Sequence, residues 1–185
     1  ATGPRVNLHH LLTCKHQRVV IGYHNAMYLR IANHLKSWCN MDVHIEPNVT
    51  KVNDDGLVVR EGRRFDFSWR KKSHRLTQTG GIENHADFVI SSPFTVFSMG
   101  ANAYLDENAL VKRKEAEKRR KYRDVGENFH PLAMTSFGFI GPTFVKFLER
   151  VREMTPAFVW GRFLNTLKIR VLRFLVLAVS MRMGN

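Results

Sequence analysis

Between His24 and Trp38 the apolar residues Met27, Ile31, Leu35 and Trp38 recur every three or four positions, the spacing that turns one face of a helix toward a core. Asn40 and Asp42 stop that helix. Short β-rich runs follow over residues 43–49, 57–60 and 64–69, divided by Asn53-Asp54-Asp55-Gly56 and by Glu61-Gly62, and such punctuation predicts hairpins. The polar stretch 70–85, with Gly80-Gly81 inside it, predicts a loop leading to a strand over 86–92 that Pro93 ends. Residues 106–125 predict a long charged helix closed by Gly126, and 131–137 a further strand. Two helices end the pattern, over 142–154 with Pro142 in the first turn and over 156–181.

The order predicts an α/β sandwich around a mixed sheet. No internal repeat is visible. The organisation expected is a basic, His-rich segment over 1–23, an α/β core over 24–141 and a C-terminal helical extension over 142–185. In the last helix, residues 174–179 are wholly apolar, but Arg170, Arg173 and Arg182 bracket them, leaving a run far short of the roughly 20 residues a membrane span needs. No transmembrane segment is expected; surface attachment of this helix to a membrane is the weaker alternative.

Charge sharpens the picture. The 185 residues carry 29 Lys and Arg against 16 Asp and Glu, a formal net charge of +13. Such a surplus repels itself unless anions lie nearby, so a polyanion is the expected partner. The helix over 106–125 carries Lys112, Arg113, Lys114, Arg119, Arg120 and Arg123 as candidate phosphate contacts. The last helix adds Arg162, Lys168, Arg170 and Arg173. With only Cys14 and Cys39 there is no disulfide framework, which suits a reducing compartment. The opening Ala-Thr-Gly-Pro lacks a methionine, and a removed organellar transit peptide is one reading of that; a mitochondrial and a nuclear location both stay open.

Two carboxylates stand out among the strands, Asp66 in Phe65-Asp66-Phe67 and Asp87 at the start of the strand after the Gly-rich loop. On adjacent strands they can point the same way, and two such groups can hold one Mg²⁺ that activates water for phosphodiester cleavage, with a lysine completing the site. The plainer reading is two unrelated surface or turn residues.

A resemblance adds to this. Lys118-Arg119-Arg120-Lys121-Tyr122-Arg123-Asp124-Val125-Gly126, followed by Phe129-His130-Pro131-Leu132-Ala133-Met134, resembles a stretch of non-LTR retrotransposon proteins of protists, in which a helix ending in Lys-Tyr leads through a small turn into a strand carrying Pro-Leu. The closing residues 177–185 are similar to the tail of such polyproteins, and His10-Leu11-Leu12-Thr13-Cys14 with His24-Asn25 resembles the zinc knuckle and first helix before their endonuclease domain. The resemblance implies the restriction-endonuclease-like, or PD-(D/E)xK, fold, with a core of helix, three strands, helix and strand. It implies that Arg64-Phe65-Asp66 takes the place of Arg-Pro-Asp and Asp87-Phe88-Val89 that of the second acidic motif, Mg²⁺ being held by Asp66 and Asp87. Val89 stands where the usual strand lysine would be, which leaves Lys118 and Lys121 from the helix as candidates. His10, Cys14 and His24 would supply three of the four ligands of a structural zinc. Two functions stay open: an endonuclease that nicks DNA, and a catalytically silent RNA-binding subunit of a large assembly such as a mitochondrial ribosome, among other ribosomal proteins.

Overall fold

The computed structural model describes residues 18–52, 57–72, 82–92 and 106–180. It is a mixed α/β fold. Helix α1 (Arg18–Trp38) is followed by β1 (Met41–Ile45), β2 (Asn48–Val52), β3 (Val58–Arg64), β4 (Phe67–Lys71) and β5 (Asn84–Ser91), then α2 (Glu107–Lys121), β6 (Phe129–Thr135), α3 (Pro142–Glu153) and α4 (Ala157–Ser180). Four strands form one sheet in the order β1-β4-β5-β6, and β2 pairs with β3 in a separate hairpin. Strands β1, β4 and β5 are antiparallel neighbours, while β6 runs parallel to β5 with Asp87 opposite Pro131. A parallel pair needs a crossover, and α2 lies within that connection.

Alternation along the strands sorts the two faces. Phe67, Trp69, Ala86, Phe88, Leu132 and Met134 pack with Met27, Ile31 and Leu35 of α1 and with Phe144, Phe147, Phe163 and Leu167 of α3 and α4. Asp87, between Ala86 and Phe88, turns to the other face and meets α2. Residues 142–171 thus share the core of the sheet. Position 34 shows how tightly: the His34 ring stacks on Phe163 at 3.9 Å between centroids, and its Nε2 bonds Thr155 Oγ1 at 2.9 Å.

Several expectations shift in detail. Helix α1 begins at Arg18, six residues before the apolar period at His24 makes it legible. The sequence at Glu61-Gly62 suggests a turn between two strands, yet β3 runs through both residues. Gly62 has φ +71°, and the β2–β3 register slips between Asn48 and Thr50, so the glycine serves an irregular strand rather than a turn. The break comes at Phe65-Asp66, and Asp66 therefore sits at the entrance to β4, not inside a strand. Helix α2 starts where Asp106 Oδ1 accepts from Ala109 N at 2.9 Å, but it ends at Lys121, and residues 123–128 form two short 3-10 pieces joined by a kink at Gly126, whose φ is +70°.

One brace ties α2 to α3. The buried Glu115 accepts from Thr143 N at 3.0 Å and from Thr143 Oγ1 at 2.7 Å, capping from a distance the N-terminus of a helix whose own cap, Gly141, has no side chain to do so. A Cβ at Gly141 would collide with Glu115 Oε1.

Candidate functional site

The site grows from an unpaired stretch of strand edge. Strand β4 pairs with β5 only up to Ala86, so Phe88 presents backbone groups with no β4 partner. Two side chains take them. Phe88 N donates to Asp66 Oδ2 at 2.5 Å, and His24 Nε2, from α1, lies 2.9 Å from Phe88 O and 3.4 Å from Asp66 Oδ2. The backbone N–H of Asp66 donates to Ala86 O at 3.0 Å, which anchors Asp66 beside Asp87.

Asp87 faces α2. Lys118 Nζ donates to its Oδ2 at 2.7 Å, with the carboxylate side chain 8% exposed and the lysine 24%. One helical turn on, the Tyr122 hydroxyl lies beside Asp87 and donates to Arg64 O at 2.9 Å. Tyr122 is fixed by Phe65 and Phe129, with ring centroids 5.0 and 4.6 Å away. The aromatic cluster thereby holds the last turn of α2 against the strand break that carries Asp66.

Electrostatics follow the geometry. Burial pushes the Asp87 carboxyl above its ordinary range; the Lys118 ammonium pulls it back, and the nearby Asp66 charge pushes it up again. Burial works against a charge on His24, but the bond and charge of Asp66, with the Phe88 carbonyl, raise it to about 9, so it is an imidazolium at neutral pH. Burial, and next the Asp87 charge, hold the Tyr122 phenol above its ordinary value.

The candidates separate accordingly. Lys118 bonds Asp87, and Asp66, held by Phe88 N and His24, lies near enough for its charge to act on Asp87. Lys121 does not join them: it is exposed, with its ammonium 4.7 Å from the Tyr122 ring centroid. His10 and Cys14 lie outside the described residues. His24 stands against Asp66 and Phe88, with Nδ1 3.2 Å from Asn25 Oδ1, so both of its ring nitrogens are engaged within the fold. Among the described residues no group of three or more His, Cys, Asp or Glu is placed to hold a metal ion. Asp66 and Asp87 are two hard oxygen donors, a set that suits Mg²⁺, which commonly takes one or two carboxylates and completes its shell with water.

No protein-family model and no curated protein matches the chain.

Of the phosphate candidates on and after α2, Lys112, Arg119, Arg120 and Arg123 are exposed. Lys114 reaches Glu117 at 2.6 Å, and Arg113 lies 3.7 Å from the same residue. Arg162 and Lys168 are exposed and Arg170 half-buried, whereas the Arg173 side chain lies outside the described residues. No helix among the described residues is long and apolar enough to cross a membrane. Sequence reasoning missed Tyr122 and the pairing of His24 with Asp66. The i,i+4 spacing of Lys118 and Tyr122 was the available signal for the first; nothing local marks the second.

Proposed function

We propose that this chain is a nucleic-acid-binding protein with a restriction-endonuclease-like fold, whose Asp66, Asp87 and Lys118 form a site for nicking DNA. The observation that carries the proposal is the ion pair of Lys118 with Asp87 at a corner of the sheet where the Asp66 carboxylate, bonded to Phe88 N, lies close enough for its charge to act on Asp87. The order helix, strand, strand, strand, helix, strand, with β2 and β3 inserted as a hairpin, supports the kinship with retrotransposon endonucleases. The net charge of +13 supports a phosphate-bearing partner.

In this reading Asp66 and Asp87 would hold Mg²⁺, which supplies charge stabilisation and a more acidic bound water. Lys118 holds the Asp87 carboxylate in place and brings a positive charge to the position of a scissile phosphate. Tyr122 fixes the backbone that carries Asp66, and the exposed cations of α2 hold the strand across the site.

A second reading, a catalytically silent RNA-binding subunit of a large assembly such as a mitochondrial ribosome, is favoured by one feature: each carboxylate is already matched with a cation of the protein, Asp66 with His24 and Asp87 with Lys118. Supercoiled plasmid incubated with the purified protein and Mg²⁺ separates the two. The endonuclease reading expects nicked circles from wild type and none from Asp66→Ala or Asp87→Ala. Intact plasmid with wild type, together with ribosomal RNA copurifying with the native protein, overturns that reading in favour of the silent one.

A further inference from the structure

Helices α1 and α4 pack antiparallel, with Trp38 beside Phe158, His34 on Phe163 and Arg30 beside Thr166. Neither helix contains a single Asp or Glu, although together they span 45 residues and carry seven Lys and Arg. Elsewhere in the fold the charges are mixed, as α2 illustrates with its internal pairs to Glu117. Two helices without any acid, side by side, form a layer on the face of the sheet away from Lys118.

The seam between them has a definite pattern. Phe158, Arg162, Thr166 and Arg170 follow one another at i,i+4 on α4, about 6 Å apart along the axis, and Trp38, His34 and Arg30 do the same on α1. At one end the Trp38 and Phe158 rings meet edge to face at 6.4 Å, yet remain 48% and 68% exposed. Further along, Arg30 donates to Thr166 Oγ1 at 3.4 Å. The Nε atoms of Arg30 and Arg170 are buried and have no hydrogen-bond partner among the described residues. Among those residues no carboxylate pairs with Arg30, Arg162 or Arg170 either.

We infer that this seam is a second nucleic-acid surface, and that it takes a single strand. The inference rests on the nucleic-acid reading above but not on the site at Asp66 and Asp87. Exposed ring faces offer stacking to unpaired bases, which a duplex keeps inside its own stack. The arginines, one per turn, give the sugar-phosphate chain a repeated charge to follow, and a guanidinium with an unused Nε gains a fork contact by turning toward a phosphate. A membrane-surface helix segregates its cations from its apolar face, whereas here rings and cations share one stripe.

The test measures binding of a fluorescein-labelled oligothymidylate of about 20 nucleotides and of a duplex of equal length, by anisotropy across a salt series. Trp38→Ala with Phe158→Ala should weaken oligothymidylate binding by about tenfold or more and duplex binding by no more than about twofold, with Trp38→Phe and Phe158→Tyr restoring the loss. Replacing Arg30, Arg162 and Arg170 by Gln should reduce the salt slope for the single strand by about 2. The inference is overturned if the aromatic double variant, folded by circular dichroism, binds the oligonucleotide like wild type or loses both ligands equally. It is overturned too if that variant loses only flotation with phosphatidylserine vesicles. Wild type that binds duplex but not oligothymidylate sinks this inference alone; wild type that binds neither sinks the nucleic-acid reading with it.

Discussion

Lys118 on α2 donates to Asp87 on β5 at 2.7 Å, so the crossover helix and the central strand are joined by an ion pair on the side of the sheet opposite the main core. The pair is asymmetric, since the carboxylate is buried and the ammonium partly wet. Breaking such a pair from the lysine side leaves a charge in a poor solvent.

Lys118→Ala should therefore cost about 3 kcal/mol of stability. In the Lys118→Ala, Asp87→Asn double variant part of that loss should return, because the uncompensated charge is gone. Urea unfolding of the four proteins of the cycle checks this; strictly additive losses would show that the two side chains are not coupled.

The histidines predict a stability maximum near pH 6.5. Burial, and then the Arg30 charge, push His34 down to about 4; burial does most of the same for His130, with nearby arginines adding to it. Both are neutral in the fold and take up protons on unfolding, so stability falls as pH drops from about 6.5 to about 4, with about 3 kcal/mol assigned to the 4% exposed His34. His24 acts in the opposite sense: raised to about 9, its contribution is complete below about 6.5 and lost as pH climbs through 9. Melting curves across this range should show His34→Gln flattening the acid limb and His24→Gln the alkaline one. A wild-type melting temperature flat from pH 4 to 9 contradicts both assignments.

Gly141→Ala should destabilise the fold by about 1–3 kcal/mol, because its Cβ meets Glu115 Oε1 and the carbonyl of Ala133. Glu115→Ala removes the distant cap on α3 and should cost a similar amount, as the loss of a helix cap does. Combined, the two changes should cost clearly less than their sum, since the second removes the clash of the first. Thermal melts of the three variants decide it.

How far the chain is legible from its sequence depends on how local each determinant is. The apolar period from Met27 to Leu35 and the charged run that opens at Asp106 act within a few residues, and α1 and α2 are found where those signals lie, although Trp38, at the end of the same period, is exposed. The irregularity at Gly62 and the break at Asp66 depend on pairing with β2 and β5, so the local dipeptide Glu61-Gly62 misleads about where β3 ends. Asp66 and Asp87 stand out as polar residues in β-rich runs, but the choice of Lys118 over Lys121 follows only from the rotation of α2 on the sheet. His24 carries no sequence mark of its role, because its partners are an acid 42 positions away and a strand carbonyl 64 positions away. Nor does the run of helices after residue 142 look like part of the core until Phe147 and Phe163 are seen packed into it.

The salt dependence of binding to a plain DNA or RNA duplex tests the central claim, a cationic chain that neutralises phosphates, most directly. A straight fall of log affinity with log salt is predicted. Changing the exposed Lys112, Arg119, Arg120 and Arg123 to Gln should make its slope shallower by about 3 to 4. Binding that ignores salt, a slope that ignores those four residues, or no binding at all at low salt would contradict it.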